Sequence, residues 1–295
     1  MSDVKKNKVY VKFPPTGLGN MLLTWSRGYL FARLNGLEMV TSGWGGIHWG
    51  AWLRWERKKR MYGGYFKEDG FLKKREMARR TRTAQLVVEP AVEKLQGSAG
   101  GDTIFLFNEV SPGKDLFGPM RPHREAVREG IINILSPRLA RQLEGYEAPA
   151  IAVHIRRGDF KIGNAITPLS FFIRSIVLAR EVSGLRLPVM VFTDAAPAEI
   201  KEVLELPDVS MATEKADILD ILLMSRSKMI VLSQSSTFSY WGAFLSDAVV
   251  IRPAGDWQGD IRPADVNAAV FEGKVDFEDE HSVMQLKKAL TVHNW

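Results

Sequence analysis

Three stretches hold residue types that can handle a phosphorylated ligand. His154-Ile155-Arg156-Arg157-Gly158-Asp159 follows directly on the apolar run 150–153. Two adjacent arginines at a glycine turn supply planar guanidinium forks that pair bidentately with phosphate oxygens. Ser233-Gln234-Ser235-Ser236-Thr237 follows the apolar run 229–232. Hydroxyls where a helix begins add side-chain donors to the unused amides of its first turn. Thr193-Asp194 closes a third run, 188–192, where Asp194 is placed to accept from the edge of a base or from a ribose hydroxyl. Arginines at one strand end opposite hydroxyls at another is the set a diphosphate requires. On spacing alone the competing arrangement for 156–159 is a turn closed by an internal Arg–Asp pair. Gly17, Gly19 and Asn20, after the run 9–13, form a glycine turn that suits an anionic or sugar ligand, and equally a plain tight turn.

These residues need strands that end beside one another. In a doubly wound sheet ligands sit off the carboxyl ends of the strands. The second half alternates accordingly: strands at 150–153, 188–192, 229–232 and 249–251, helices at 168–181, 197–206, 216–225 and 239–245. Near-continuous apolar strands separated by helices call for a buried parallel sheet. In the first half, strands are expected at 9–13, 86–88 and 103–107, and helices at 21–34 and 124–135. The fold class is therefore α/β, with lobes of residues 1–147 and 148–295 joined in the segment 144–149. Eight acidic residues between Asp256 and Glu280, against Arg262 and Lys274 only, point to an irregular tail before a final amphipathic helix at 281–290.

A chain of 295 residues without cysteine excludes disulfides, thiolate–zinc sites and thiol nucleophiles. The first eight residues lack the apolar core of a signal peptide, and no apolar run approaches the length of a bilayer-spanning helix, so a soluble, cytoplasmic protein is expected. Net charge is +6, yet residues 54–82 carry 12 Lys and Arg against 4 Asp and Glu, which leaves the remainder near −2. This segment would draw an anionic membrane, a phosphorylated substrate or nucleic acid, or serve as a solvated face. Aromatic residues interleave with the cations from Trp44 through Trp49, Trp52, Trp55, Tyr62, Tyr65 and Phe66. They are suited to stacking on sugars or bases, or to covering a small core under a long loop.

Three blocks resemble the α-1,2-fucosyltransferases and their α-1,6- and protein O-fucosyltransferase relatives: Gly17-Leu18-Gly19-Asn20, the segment from Val153 to Phe160, and the segment from Ser235 to Leu245. Phe192-Thr193-Asp194 and the segment from Asp220 to Ser225 lie between them in the expected order, while residues 40–145 contribute no block. Met21 stands where that pattern usually has glutamine, and Thr237 is an extra residue within the last block. The resemblance implies a GT-B-like enzyme: two Rossmann-like lobes with a cleft between them, inverting, using no metal, with GDP-fucose or another GDP-sugar as donor. It implies Arg156 on the β-phosphate supported by His154, these two being catalytic. Arg157, Asp159, Asp194, Ser235, Ser236 and Thr237 would line the donor, and Gly17, Gly19 and Asn20 would face the sugar. Asp159, His48 and Glu109 are candidate bases. The acceptor would be a glycan, such as a lipid-linked oligosaccharide in surface polysaccharide biosynthesis, with peripheral membrane contact through residues 54–82. The alternatives are a catalytically silent sugar-nucleotide binder and a basic nucleic-acid-binding module, in which the strand-end constellation has no role.

Overall fold

The computed structural model describes residues 7–45, 62–95, 101–111, 114–158, 166–213 and 216–295. The chain divides into two compact units, Met1–Ala140 and Arg141–Trp295. The division falls inside a helix, N-terminal to the 144–149 segment expected to join the lobes.

The first unit contains β1 (Lys8–Val11), α1 (Leu18–Asn35), β2 (Glu38–Thr41), α2 (Phe71–Arg80), β3 (Gln85–Val88), β4 (Thr103–Phe107) and α3 (Arg124–Ile134), followed by α4 (Pro137–Glu144) at the division. Its sheet is wholly parallel in the order β2-β1-β4-β3. Alternation along the strands buries both faces. Val9, Val11, Phe105 and Phe107 pack on Phe31 of α1, whereas Tyr10, Val40 and Ile104 pack on Met77 of α2. Helix α1 comes very close to β1 at Gly28, where a Cβ would lie 2.4 Å from Val11 Cγ2. It ends at Gly36, left-handed at φ 62°, whose amide returns to the Ala32 and Arg33 carbonyls.

The second unit continues with β5 (Ile151–Ile155), α5 (Leu169–Ser183), β6 (Val189–Thr193), α6 (Lys201–Leu204), β7 (Val209–Met211), α7 (Asp217–Ser225), β8 (Met229–Val231), α8 (Thr237–Phe244), β9 (Val249–Pro253), α9 (Ala264–Ala269), β10 (Glu272–Val275) and α10 (Glu280–Val292). Six parallel strands run β10-β9-β8-β5-β6-β7. β5 is buried along its whole length, its apolar run broken only by His154. Ile151, Val153 and Ile155 join Phe172, Ile176, Leu286 and Leu290 in one core. On the buried helices α7 and α8, Gly242 lets the two approach, since a Cβ there would lie 3.0 Å from that of Met224.

The expected α/β class, with parallel sheets in both units, is what is found. The tail differs from expectation: residues 253–280 are not irregular but hold α9 and the strand β10, paired on β9. β2 and β7 were likewise not expected. Each of these three is a short edge strand bonded on one side only, so its sequence carries no continuous apolar run. Of the aromatic cluster, Trp44, Tyr62 and Phe66 are buried, the Trp44 ring lying tilted 4.2 Å from that of Phe13 and 4.1 Å from that of Phe66. These rings fill a local core rather than offer a stacking surface. Trp49, Trp52, Trp55 and His48 lie outside the described residues. Among the described residues no helix is long and apolar enough to cross a membrane.

Candidate functional site

β5 is the first strand of the second unit. The chain builds outward from it to β6 and β7, then returns to its other side with β8, β9 and β10. The order therefore reverses between β5 and β8, and a crevice opens at the carboxyl ends of strands at such a switch point. The segments leaving β5 and β8 carry the two stretches singled out above. Ser233 stitches them together: its hydroxyl donates to the His154 carbonyl at 2.8 Å and accepts from the Arg156 amide at 2.9 Å. Thr193 does the same across β5 and β6, donating to the Ile155 carbonyl at 2.7 Å and accepting from the Ala195 amide at 2.9 Å. The Gln234 amide donates to the buried Thr167 hydroxyl at 3.0 Å.

The two adjacent arginines diverge. Arg156 Nη1 lies 2.9 Å from Asp194 Oδ2, and its side chain keeps 25% of its surface exposed. Arg157 turns inward and donates through Nη1 to the Thr167 carbonyl at 2.9 Å. Burial pushes the Arg157 guanidinium below its ordinary range, while Glu199 and Asp194 pull it back up. Asp194 serves both residues, because Oδ1 accepts from the Arg157 amide at 2.8 Å. Its carboxylate lies over Gly158, where a Cβ would stand 2.4 Å from Oδ2. Arg156 thus pairs with Asp194, from the turn after β6 rather than from its own turn. Both oxygens of Asp194 face the β5 turn, one on the Arg157 amide and the other on Arg156 Nη1. Asp159 lies outside the described residues.

Ser235 occupies the left-handed region at φ 57°, a conformation costly for a residue with a side chain. Ser236 is the N-cap of α8, yet its side chain makes no capping hydrogen bond. The first amides of the helix, from Thr237 onward, are thus left to another acceptor. Asp256 holds the strained turn. Its Oδ1 accepts from the Ser235 amide at 3.2 Å and from the Tyr240 hydroxyl. Burial, then the Asp256 charge, pushes the Tyr240 hydroxyl well above the ordinary phenol range, so it stays a donor. Behind Asp256 a fully buried ionic chain continues. Arg252 stands 3.4 Å from Asp256 and 3.4 Å from Glu272, whose other oxygen is 3.3 Å from Arg262 Nε. Asp256 and its chain were missed from sequence. The available signal was Arg252, a charge inside the otherwise apolar strand β9.

His154 is only 3% exposed, with its ring 5.4 Å from that of Phe238, so it lies beneath the start of α8. The structure thus brings Arg156, Arg157, Asp194 and the start of α8 to one sheet edge, with His154 below. Gly17, Gly19 and Asn20 belong to the first unit, at the start of α1, where the Leu18 amide donates to the Tyr62 hydroxyl at 2.9 Å. They follow β1 at that unit's own switch point, between β1 and β4. Among the described residues no group of three or more His, Asp or Glu is placed to hold a metal ion.

Two α/β units, each with an all-parallel sheet, give the chain a GT-B-like fold. Among solved structures the chain is similar to the α-1,6-fucosyltransferase NodZ soaked with GDP-fucose, at 14% identity and a TM-score of 0.51 over 86% of this chain and 98% of that one. A structure of NodZ from Bradyrhizobium matches at 13% identity and a TM-score of 0.51 over 82% of this chain and 94% of that one. POFUT1 in complex with GDP-fucose matches at 14% identity and a TM-score of 0.50 over 84% of this chain and 96% of that one. No protein-family model and no curated protein matches the chain. At such identities the likeness is one of fold, and it is the fold that the three sequence blocks imply.

Proposed function

We propose that the chain is a glycosyltransferase that moves fucose, or a related sugar, from a GDP-sugar to a hydroxyl of a glycan acceptor, with inversion. The observation that carries this reading is the coincidence of the β5–β8 switch point with the part-exposed Arg156 fork and the uncapped start of α8. The GDP-fucose held by NodZ and POFUT1 supports the choice of donor. In the proposed step the acceptor oxygen bonds to the anomeric carbon as the bond from that carbon to the β-phosphate oxygen breaks. GDP leaves with the electron pair, and the hydroxyl proton passes to a base or to solvent. Arg156 and the amides of α8 meet the charge growing on the diphosphate, which is the work a metal does in other transferases. Asp194 and Ser233 hold Arg156 in place, and Asp256 holds Ser235. The acceptor class that fits the reading is an oligosaccharide built for the cell surface.

Titration calorimetry with GDP-fucose, GDP-mannose and UDP-glucose in the presence of chelator tests the reading. Tight binding of GDP-fucose is expected, weakened at least about 100-fold in Arg156→Ala, since a preorganised donor of this kind is worth roughly 3 kcal/mol. Arg156→Lys should recover little, because the fork is lost. Absence of binding to all three nucleotides overturns the proposal. Binding without release of GDP, with or without oligosaccharides present, reduces it to a sugar-nucleotide binder.

A further inference from the structure

Helix α2, Phe-Leu-Lys-Lys-Arg-Glu-Met-Ala-Arg-Arg, buries a single residue, Met77. At 100° per residue the direction opposite Met77 is shared by Phe71, Leu72, Arg75 and Arg79. Phe71 is 74% and Leu72 79% exposed, which is unusual for two adjacent large apolar side chains. The acidic groups around the helix are engaged along its flanks. Glu38 holds Lys73 at 3.1 Å, Glu68 holds Lys74 at 2.7 Å, and Glu76 holds Lys8 at 3.3 Å and Arg80 at 3.4 Å. Arg75 and Arg79 are exposed and make no ion pair among the described residues. The outward face thus pairs an apolar first turn with two uncompensated guanidinium groups, and it bears no carboxylate.

We infer that this face of α2 docks on an anionic lipid bilayer, with Phe71 and Leu72 entering the headgroup boundary and Arg75 and Arg79 on the phosphates above them. Charge complementarity alone would also admit RNA. The apolar turn decides for the bilayer, because Leu72 has no partner on a polyanion in water, whereas an interface rewards apolar and cationic groups on one face. The inference does not rest on the donor site, and it holds or fails separately.

Co-sedimentation with vesicles of phosphatidylcholine alone, and of phosphatidylcholine with equimolar phosphatidylglycerol, tests it. The intact chain is expected to bind only the anionic vesicles, less so as salt rises. Arg75→Gln with Arg79→Gln should weaken binding about 25-fold, at roughly fivefold per cation near a charged surface. Phe71→Ser with Leu72→Ser should remove the part of binding that survives salt. All four side chains are exposed, so circular dichroism and melting temperature should match the parent. Vesicle binding unaltered in both double variants would overturn the inference. Failure of the intact chain to bind anionic vesicles at low salt would do the same, and single-stranded RNA captured by it in their place would assign the face to nucleic acid.

Discussion

Each unit has an arginine at the carboxyl edge of its parallel sheet, and the two are put to different use. In the first unit Arg27 of α1 is buried, and its fork is consumed: Nη1 donates to the Val110 carbonyl at 2.8 Å, Nη2 to the Glu109 carbonyl at 2.7 Å and to Glu89 Oε2 at 3.2 Å. Glu89, held left-handed at φ 46°, accepts from the Asn108 and Glu109 amides at 2.7 Å each. Burial pushes the Arg27 guanidinium down from its ordinary range and Glu89 pulls it back. This buried cation fixes the loop after β4 through both terminal nitrogens, while its Nε has no partner among the described residues. In the second unit that structural part falls to Arg157, while Arg156 stands part-exposed beside the Asp194 carboxylate. Topology places a cation at both edges. The two differ in exposure: Arg27 is buried among carbonyls, whereas Arg156 keeps a quarter of its side-chain surface open, as its proposed role on a phosphate needs.

The largest effect expected from breaking this contrast is at Glu89. Glu89→Gln leaves Arg27 buried beside a neutral partner and should cost about 3–5 kcal/mol of stability, the usual result of removing one member of a buried pair. Urea unfolding followed by tryptophan fluorescence measures it. GDP-fucose affinity of the folded variant should equal that of the parent. A loss of affinity with stability intact would mean that the first-unit edge also serves the donor.

The parts of this arrangement that the sequence disclosed are those where one chemical property dominates. β5, β6 and β8 are apolar up to their carboxyl ends, where His154, Thr193 and, after Leu232, Ser233 are the first polar residues. The edge strands β2, β7 and β10 were hidden because half their bonding positions face outward and their residues are mixed. α2 was hidden because it buries only Met77 and so has no apolar period. Spacing also cannot tell which of two neighbouring guanidiniums turns inward. That choice is made by the Thr167 carbonyl, ten residues on, and by Asp194 just past the end of β6. Asp256 was beyond reach for a related reason: its partners Ser235 and Tyr240 lie on the far side of β9, at the start of α8.

A smaller effect is expected from Asp256→Asn. The amide retains an acceptor for the Ser235 amide and the Tyr240 hydroxyl but turns a donor, or at best a neutral group, toward Arg252. Charged hydrogen bonds lost in this way are worth roughly 1.5–3 kcal/mol. Because Asp256 fixes the left-handed Ser235, part of the loss should appear as weaker binding of GDP-fucose, whereas Glu89→Gln shows none. Calorimetry beside urea unfolding separates the two. A pure loss of stability would make the buried chain from Asp256 to Arg262 a brace like Arg27, and the contrast between the two edges would narrow to Arg156 alone.

The smallest and most local effect lies at Gly158. Its residue type follows from close approach, since a methyl group there would stand 2.4 Å from Asp194 Oδ2. In Gly158→Ala the carboxylate must swing away, although the Arg157 amide holds its other oxygen at 2.8 Å. The backbone bonds of β5 with β6 and β8 are untouched, so stability should change by less than about 1 kcal/mol, as for substitutions outside a packed core. Arg156, deprived of the group that orients it, should bind GDP-fucose about tenfold more weakly, equivalent to ~1.4 kcal/mol. Asp194→Asn should give a loss of similar size, and the two combined little more than either, because both act through one ion pair. Full affinity in Gly158→Ala would show that Arg156 finds its place without Asp194. The turn after β5 would then be the part of this edge that tolerates change, with Ser233 as its principal anchor.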